Sequence, residues 1–260
     1  MYRDTRPVHG HELTASTPAM WAETFARSTR MNSWRTLRLS RTREWELIRR
    51  HVAPGAAVLD AGCGFGEWVS FLTDHGYRAE GVDYSPEVVS RLRNTYPDLT
   101  WKVGDMNHLP YEDGAFDAVI SWGAIEHDEA GPSRSLSDFR RVLRAGGVII
   151  VTVPVDSPAQ RRAAAYLYPR GETSQAFFQY FMTADELASQ VTAAGFEVID
   201  QAVLPGAVLQ LVSPGLAARL KGLPFRLVNL AVSTCLSWMP RHSVMRYCVA
   251  RKSARSDGAA

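Results

Sequence analysis

Residues 58–68, Val-Leu-Asp-Ala-Gly-Cys-Gly-Phe-Gly-Glu-Trp, restrict the fold of this chain more than any other stretch. The apolar run Ala56-Ala57-Val58-Leu59 ends in an acid, Asp60, and meets glycines on alternate positions, Gly62, Gly64 and Gly66, before a helix-like segment from Glu67 to Asp74. A strand that turns into a helix through glycines lets a ligand lie against bare backbone, because no Cβ holds it away. An acid at the end of that strand suits a cationic or hydroxyl-rich ligand better than a phosphate. The spacing also departs from two related patterns. A dinucleotide fingerprint would place its third glycine where Glu67 stands, and a phosphate loop needs a Lys after its glycines, which is missing here. The residues therefore point to a nucleoside-like cofactor that carries little phosphate.

Past this loop, apolar runs alternate with helical patterns. Arg78–Asp83 reads as a second strand, and Ser85-Pro86-Glu87 opens a helix with a cap and a proline at its first position. Leu99–Val103 and Phe116–Ser121 read as strands and Ser133–Leu143 as a helix. Ala145-Gly146-Gly147 turns the chain into the β-branched run Val148–Val153, suited to a buried parallel strand. Thr183 begins a helix that stops at Gly195, Phe196–Val203 reads as a strand, and Val244–Arg251 as the last one. This alternation predicts an α/β, Rossmann-like fold: a mostly parallel sheet with helices on both faces and ligands at the carboxyl ends of the strands. The expected organisation is an N-terminal helical cover (1–51, with helices over Ala19–Arg30 and Arg35–Arg50) and a core over 52–204 that includes a lid insertion at 154–182. An apolar and basic insertion (205–243), a last strand (244–252) and a disordered tail (253–260) follow.

Acids recur at the strand ends. Asp83 closes the second strand 21 residues beyond Gly62, where α/β nucleotide binders place an acid against ribose hydroxyls. Gly104-Asp105-Met106 closes the third, adding a carboxylate that can accept from an exocyclic amine and an apolar side chain that can pack on a base. Tyr84 offers a second flat surface. The segments VLDAGCGFGEW, GVDYS, GDMNHLPYEDGAFDAVIS, IEH and LRAGGVIIVTVP, in this order and spacing, resemble the class I S-adenosylmethionine-dependent methyltransferases, closest to the ubiquinone/menaquinone-methyltransferase-like (type 11) branch that acts on small molecules. The resemblance is strong over residues 52–153 and looser over 180–203. It implies a seven-stranded sheet whose last strand is antiparallel, and S-adenosyl-L-methionine as cofactor. It places the cofactor's methionine end at Gly62, Cys63, Gly64 and Gly66, its ribose at Asp83, and its adenine at Asp105 and Met106. Asp60 acts near the amino group or through water, and Tyr84, Ser85 and Ser121 complete the expected cofactor set.

Methyl transfer needs few fixed catalytic groups, because alignment and water exclusion supply most of the rate. The candidates are His127, as a base toward a hydroxyl acceptor, and Glu126, orienting His127 or touching substrate. The expected reaction is methylation of a small molecule, lipid- or sugar-linked acceptors included, at oxygen. Carbon and nitrogen acceptors stay open, as do two other readings: a non-catalytic cofactor-binding module and a nucleotide-dependent oxidoreductase. Nucleic acid is not expected as substrate, since Ser-Trp-Gly-Ala-Ile-Glu-His stands where base-amino methyltransferases carry Asn/Asp-Pro-Pro-aromatic. Metal is not expected either, because the seven His residues show no ligand spacing.

Charge is segregated: residues 1–51 hold ten Lys and Arg against five acids, residues 205–260 eight against one, and the stretch between eleven against twenty-one. The basic flanks favour an anionic substrate or a membrane surface. Leu227–Met239 is apolar but too short to span a bilayer. With Arg219, Lys221, Arg226 and Arg241 nearby, the 205–243 insertion reads as a lid, a peripheral membrane contact or a dimer interface, and oligomeric state is not legible. Cys63, Cys235 and Cys248 are an odd set without metal spacing, and the N-terminal residues carry charge without an apolar segment. A cytoplasmic location, peripheral at a membrane in one reading, is the expectation.

Overall fold

A computed structural model describes residues 1–7, 39–167, 175–204 and 244–253. The expected helix at Ala19–Arg30, the 205–243 insertion and all but the first residue of the tail lie outside the described residues. Within them, seven strands form one sheet in the order β4-β3-β2-β5-β6-β9-β8. These are β2 (Ala57–Ala61), β3 (Arg78–Asp83), β4 (Thr100–Val103), β5 (Phe116–Trp122), β6 (Leu143–Pro154), β8 (Phe196–Val203) and β9 (Met245–Lys252). All pairings are parallel except those of β9, which runs antiparallel to both β6 and β8. The order reverses between β2 and β5, which leaves a crevice at their carboxyl ends.

The helices follow from local signals. α1 (Arg43–His51) starts at Thr42, whose hydroxyl accepts from Trp45 N, and carries acids in its first turn and bases in its last. α2 (Glu67–Asp74) springs from the glycine loop, and α3 (Pro86–Thr95) is capped by Ser85 with Pro86 in its first turn. α4 (Ser133–Val142) and α6 (Ala184–Ala193) follow later, the latter opened by a capping box between Thr183 and Glu186. Both faces of the sheet are buried. Val58, Ile120 and Ile150 pack with α1, α2 and α3, while Leu59, Val119 and Ile149 point the other way into a second core with α4 and α6. A period of two puts alternate residues on opposite faces, so strands covered on both sides read as unbroken apolar runs.

Two features differ from the sequence expectation. β6 begins at Leu143, not after the glycines; its pairing with β5 slips between Phe116 and Ala118, and Gly146, at φ +73°, absorbs the irregularity inside the strand. The chain's first residues, ahead of the expected helices of the N-terminal cover, form a strand. β1 (Tyr2–Pro7) pairs antiparallel with β7 (Gln175–Phe181), a strand of the 154–182 insertion that follows helix α5 (Pro158–Leu167). No short-range periodicity marks residues 2–7 as a strand, because their partner lies about 175 positions away. The ribbon is anchored to the end of β6, where Met182 N donates to Pro154 O at 3.0 Å and Asp156 N to Met182 O at 2.9 Å.

Gly81 shows how tightly β3 is packed between the loop and β4. A Cβ there would stand 2.6 Å from the Trp101 ring and 2.9 Å from Cys63 Sγ. Both neighbours are buried, so neither can move away cheaply. We expect Gly81→Ala to destabilise the fold by about 1–3 kcal/mol, read as a lower midpoint in urea unfolding with an unchanged m-value.

Candidate functional site

The glycine loop is bound to β3 by its own backbone. Gly62 N and Cys63 N both donate to Val82 O, at 2.9 and 3.0 Å, Gly64 N donates to Asp83 Oδ2 at 3.1 Å, and Gly66 N to Cys63 O at 2.8 Å. Gly62 has φ +80°, and a Cβ on it would meet Ala124 Cβ at 2.7 Å, so the loop after β2 and the turn after β5 touch only because glycine is there. Gly66 (φ +71°) faces away from the ligand side; its missing Cβ makes room for Leu92, 2.7 Å away, and for Trp101. These four amides are consumed inside the protein. They do not form the cradle of free N–H groups that a pyrophosphate requires.

Above this loop lies a cavity of about 830 Å³ at the carboxyl ends of β2 to β5. Asp60, Gly62, Cys63, Gly64, Asp83, Tyr84, Asp105, Met106 and His127, all singled out from the sequence, line it. Gly66, Ser85, Ser121 and Glu126 do not. Ser85 is buried and caps α3 through Val88 N while donating its own N–H to Asp83 Oδ1 at 3.0 Å. Ser121 is buried and ties β5 to β2 through a 2.8 Å bond to Ala61 O. Glu126 sits behind Gly123, 2% exposed, and its Oε2 makes no hydrogen bond among the described residues. Burial pushes its pKa up to about 8. At neutral pH it is mainly a neutral acid under the floor of the site.

Acids dominate the lining. Asp60, Glu67, Asp83, Asp105, Asp128 and Glu129 face one arginine among the described residues, Arg3, which is already ion-paired with Glu129. Asp60 is 2% exposed and its Oδ1 has no hydrogen-bond partner among the described residues. Burial, then the nearby Asp83 and Glu67, push its pKa up to about 8. The same causes raise the Cys63 thiol, burial first and then Asp60 and Asp83. Asp83 is also raised by burial, but the amides of Ser85 and Gly64 oppose that and hold its carboxylate in place. Each Asp83 oxygen accepts one backbone N–H, which leaves lone pairs for a ligand's hydroxyls. A dehydrated group of acids with no spare cation is costly unless a cation enters.

The opposite wall is aromatic and comes from distant parts of the chain. Trp68, on α2, lies 5.3 Å from Trp122, at the end of β5. The β1–β7 ribbon forms the roof, with Arg3 stacked 5.4 Å over Phe177, and Ala176 beside it. His127 lies in the short 3₁₀ turn Ile125–His127. Its Nδ1 is 2.7 Å from Phe178 O and its ring packs edge-on to Phe178 at 5.0 Å. A carbonyl can only accept, so Nδ1 carries the proton and the neutral ring has its lone pair on Nε2. Trp68 and Trp122 adjoin motifs visible in the sequence. Arg3 and Phe177 carry no local signal of a role here.

Among the described residues, no group of three His, Cys, Asp or Glu side chains is placed to hold a metal ion, and no helix is long and apolar enough to cross a membrane. The donor set fits S-adenosylmethionine. That molecule has a positive sulfur, an amino group, ribose hydroxyls and an adenine amine but no phosphate, and the site offers buried carboxylates, Asp60 Oδ1 without a partner among the described residues, with the amides of Gly62, Cys63, Gly64 and Gly66 already engaged.

Comparison with known proteins agrees with this geometry. Residues 58–147 match a family model described as a methyltransferase domain. The chain is 33% identical over 152 residues to a probable S-adenosylmethionine-dependent methyltransferase of Mycolicibacterium smegmatis, covering 58% of this chain and 55% of that protein. It is 32% identical over 164 residues to a 2-methyl-6-phytyl-1,4-hydroquinone methyltransferase of Synechocystis, covering 56% and 51%. Each match thus spans about half the length of the curated relative. The fold is shared with the PH0226 protein of Pyrococcus horikoshii at a TM-score of 0.62 and 19% identity, over 89% of this chain and 99% of that one. Residues 58–147 are thus similar to a methyltransferase domain, and the sheet built around them has the Rossmann-like fold of its solved neighbours.

Proposed function

We propose that this protein methylates a small-molecule acceptor at oxygen, with Asp60, Asp83, Asp105 and Met106 holding the cofactor and His127 serving as base. The observation that carries the proposal is the acid-lined cavity at the strand ends, whose glycine loop commits the amides of Gly62, Cys63 and Gly64 to Val82 and Asp83. A cationic, phosphate-free nucleoside satisfies that cavity. A dinucleotide would bring two negative phosphates to six carboxyl groups, which weighs against the oxidoreductase reading. The bound cofactor supplies a methyl group activated by the positive charge on its sulfur. The remaining work belongs to the protein: Asp83 presents acceptors to vicinal hydroxyls, the ribbon roof excludes water, and His127 Nε2 receives the proton from the acceptor hydroxyl. The Phe178 carbonyl holds the imidazole in the tautomer this requires. Glu126 lies outside the cavity and serves to support the turn that carries His127.

One relative is named for a hydroquinone with a phytyl chain, and the aromatic wall of Trp68, Trp122 and Phe177 supports an acceptor with an apolar body. A lipid- or sugar-linked acceptor brought in through the basic, apolar 205–243 insertion at a membrane surface is the extension of this reading that sequence supports. Purified protein assayed for methyl transfer onto hydroxylated aromatic and lipid-linked acceptors tests it. Binding of the cofactor without turnover of any acceptor would favour the regulatory module instead.

Two outcomes are expected. His127→Ala lowers turnover at least tenfold and leaves the affinity for S-adenosylhomocysteine within about twofold; wild-type turnover in this variant removes the base. Asp60 yields a pH signature. Its pKa in the ligand-free protein is raised to about 8, and a cationic ligand favours the carboxylate, so below that pH binding must expel a proton. Cofactor affinity therefore rises with pH, by at most about tenfold per unit, and levels off above pH 8. Asp60→Asn flattens the profile and weakens binding. The raised pKa also means that the folded state retains a proton the unfolded chain has lost, so ligand-free stability falls as pH climbs from about 4 toward 8. Asp60→Asn removes that penalty and raises the ligand-free Tm most at pH 8. A flat wild-type affinity profile in calorimetry between pH 6 and 9 would be fatal to this assignment of Asp60.

A further inference from the structure

Asn107 sits in the GDMNHLP segment after β4 but has been given no role, and it lines the cavity beside Met106. It is gripped twice. Its backbone N–H donates to Asp105 Oδ1 at 2.9 Å, within the tight turn closed by His108 N to Asp105 O at 2.9 Å. Its side-chain Nδ2 donates to Asp128 Oδ2 at 2.7 Å, while the other oxygen of Asp128 takes Ala130 N at 2.8 Å. An ionised carboxylate only accepts, so the amide nitrogen must face Asp128 and Oδ1 must face away from it. The usual ambiguity between the two ends of an amide does not arise. That leaves Asn107 Oδ1 buried and without a hydrogen bond among the described residues. A rigidly held, dehydrated carbonyl costs stability unless some donor reaches it.

We propose that Asn107 Oδ1 is a specificity-determining acceptor for the exocyclic amine of the cofactor's adenine, acting jointly with Asp105. The inference rests on the reading of this cavity as the S-adenosylmethionine site. The chemistry selects the donor. Asp105 gives one oxygen to the Asn107 backbone amide and keeps the other, so two residues of one turn, both lining the cavity, carry the acceptors Asp105 Oδ2 and Asn107 Oδ1. A primary amine carries two diverging hydrogens and satisfies both, whereas a hydroxyl satisfies one. A ring bearing a carbonyl at the same position would set three oxygens against each other. The bond to Asp128 adds a second consequence: the turn after β4 and the turn after β5 are joined across the site, so the amide's position is set from both sides.

The test uses the full-length protein and calorimetric binding of S-adenosylhomocysteine and S-inosylhomocysteine, which differ only in having an amine or a carbonyl at that ring position. Wild type should prefer the adenine form by at least about 100-fold, as expected of a site whose buried polar groups would otherwise be left unpaired. Asn107→Ala should reduce that preference at least tenfold, by weakening adenine binding while leaving the inosine form nearly unaffected. Asp128→Ala retains the carbonyl but frees the amide to rotate, and should lower the preference by an amount between wild type and Asn107→Ala. Equal wild-type binding of both ligands overturns the proposal without recourse to any variant. So does an Asn107→Ala protein with undiminished preference. If wild type binds neither ligand, the cofactor reading itself falls; if it binds S-adenosylhomocysteine and fails only the comparisons, the assignment of Asn107 alone is lost.

Discussion

The carboxylate of Asp83 joins the parts of this site. One oxygen receives Gly64 N and the other Ser85 N, so the same side chain closes the glycine loop onto β3 and orients the start of α3. Because Gly62 N and Cys63 N are also committed to Val82 O, the loop is held by β3 and needs no ligand to shape it. Two consequences follow for recognition. The floor of the cavity is pre-formed, and the amides of Gly62, Cys63, Gly64 and Gly66 are already committed within the protein. A phosphate-binding loop has the opposite balance, with amides left free at a helix N-terminus.

That balance explains why so many acids are tolerated in a dehydrated place. Asp60 and Asp83 lie at the ends of adjacent strands and are both raised by burial. In the absence of a ligand they are a source of instability, which is the usual condition of a binding site whose complement is a cation. Glu126 shows that burial alone is not evidence of ligand contact. It is as buried as Asp60 and equally raised, yet it lies outside the cavity.

The roof depends on a different kind of interaction. β1 and β7 pair with each other and not with the main sheet. The ribbon reaches the floor through His127 and Phe178 O, through Tyr180 Oη donating to Glu129 O at 2.9 Å, and through the Arg3–Glu129 pair. The ion pair is exposed and contributes little by itself. The aromatic contacts and the tie to Pro154 carry the attachment. The arrangement couples the candidate base to the cover over the acceptor, because the residue that fixes the His127 tautomer belongs to the roof.

Much of the floor was legible in the amino-acid sequence because its signals are local. An apolar run ended by an acid and followed by glycines specifies a strand, a ligand-facing carboxylate and a tight turn within about ten residues, and Asp60, Asp83 and Asp105 fall at three successive strand ends for the same reason. Local pattern could not divide the residues near those motifs into lining and support. Gly66 serves Trp101 and Leu92, and Ser85 and Ser121 serve the backbone, since side-chain direction depends on what packs beyond the turn. Tertiary structure alone brought Arg3 and Phe177 over the cavity, because the strand pairing that places them joins residues too far apart for any periodicity to record. It also decided the orientation of Asn107, whose amide is turned by an aspartate 21 positions further along the chain.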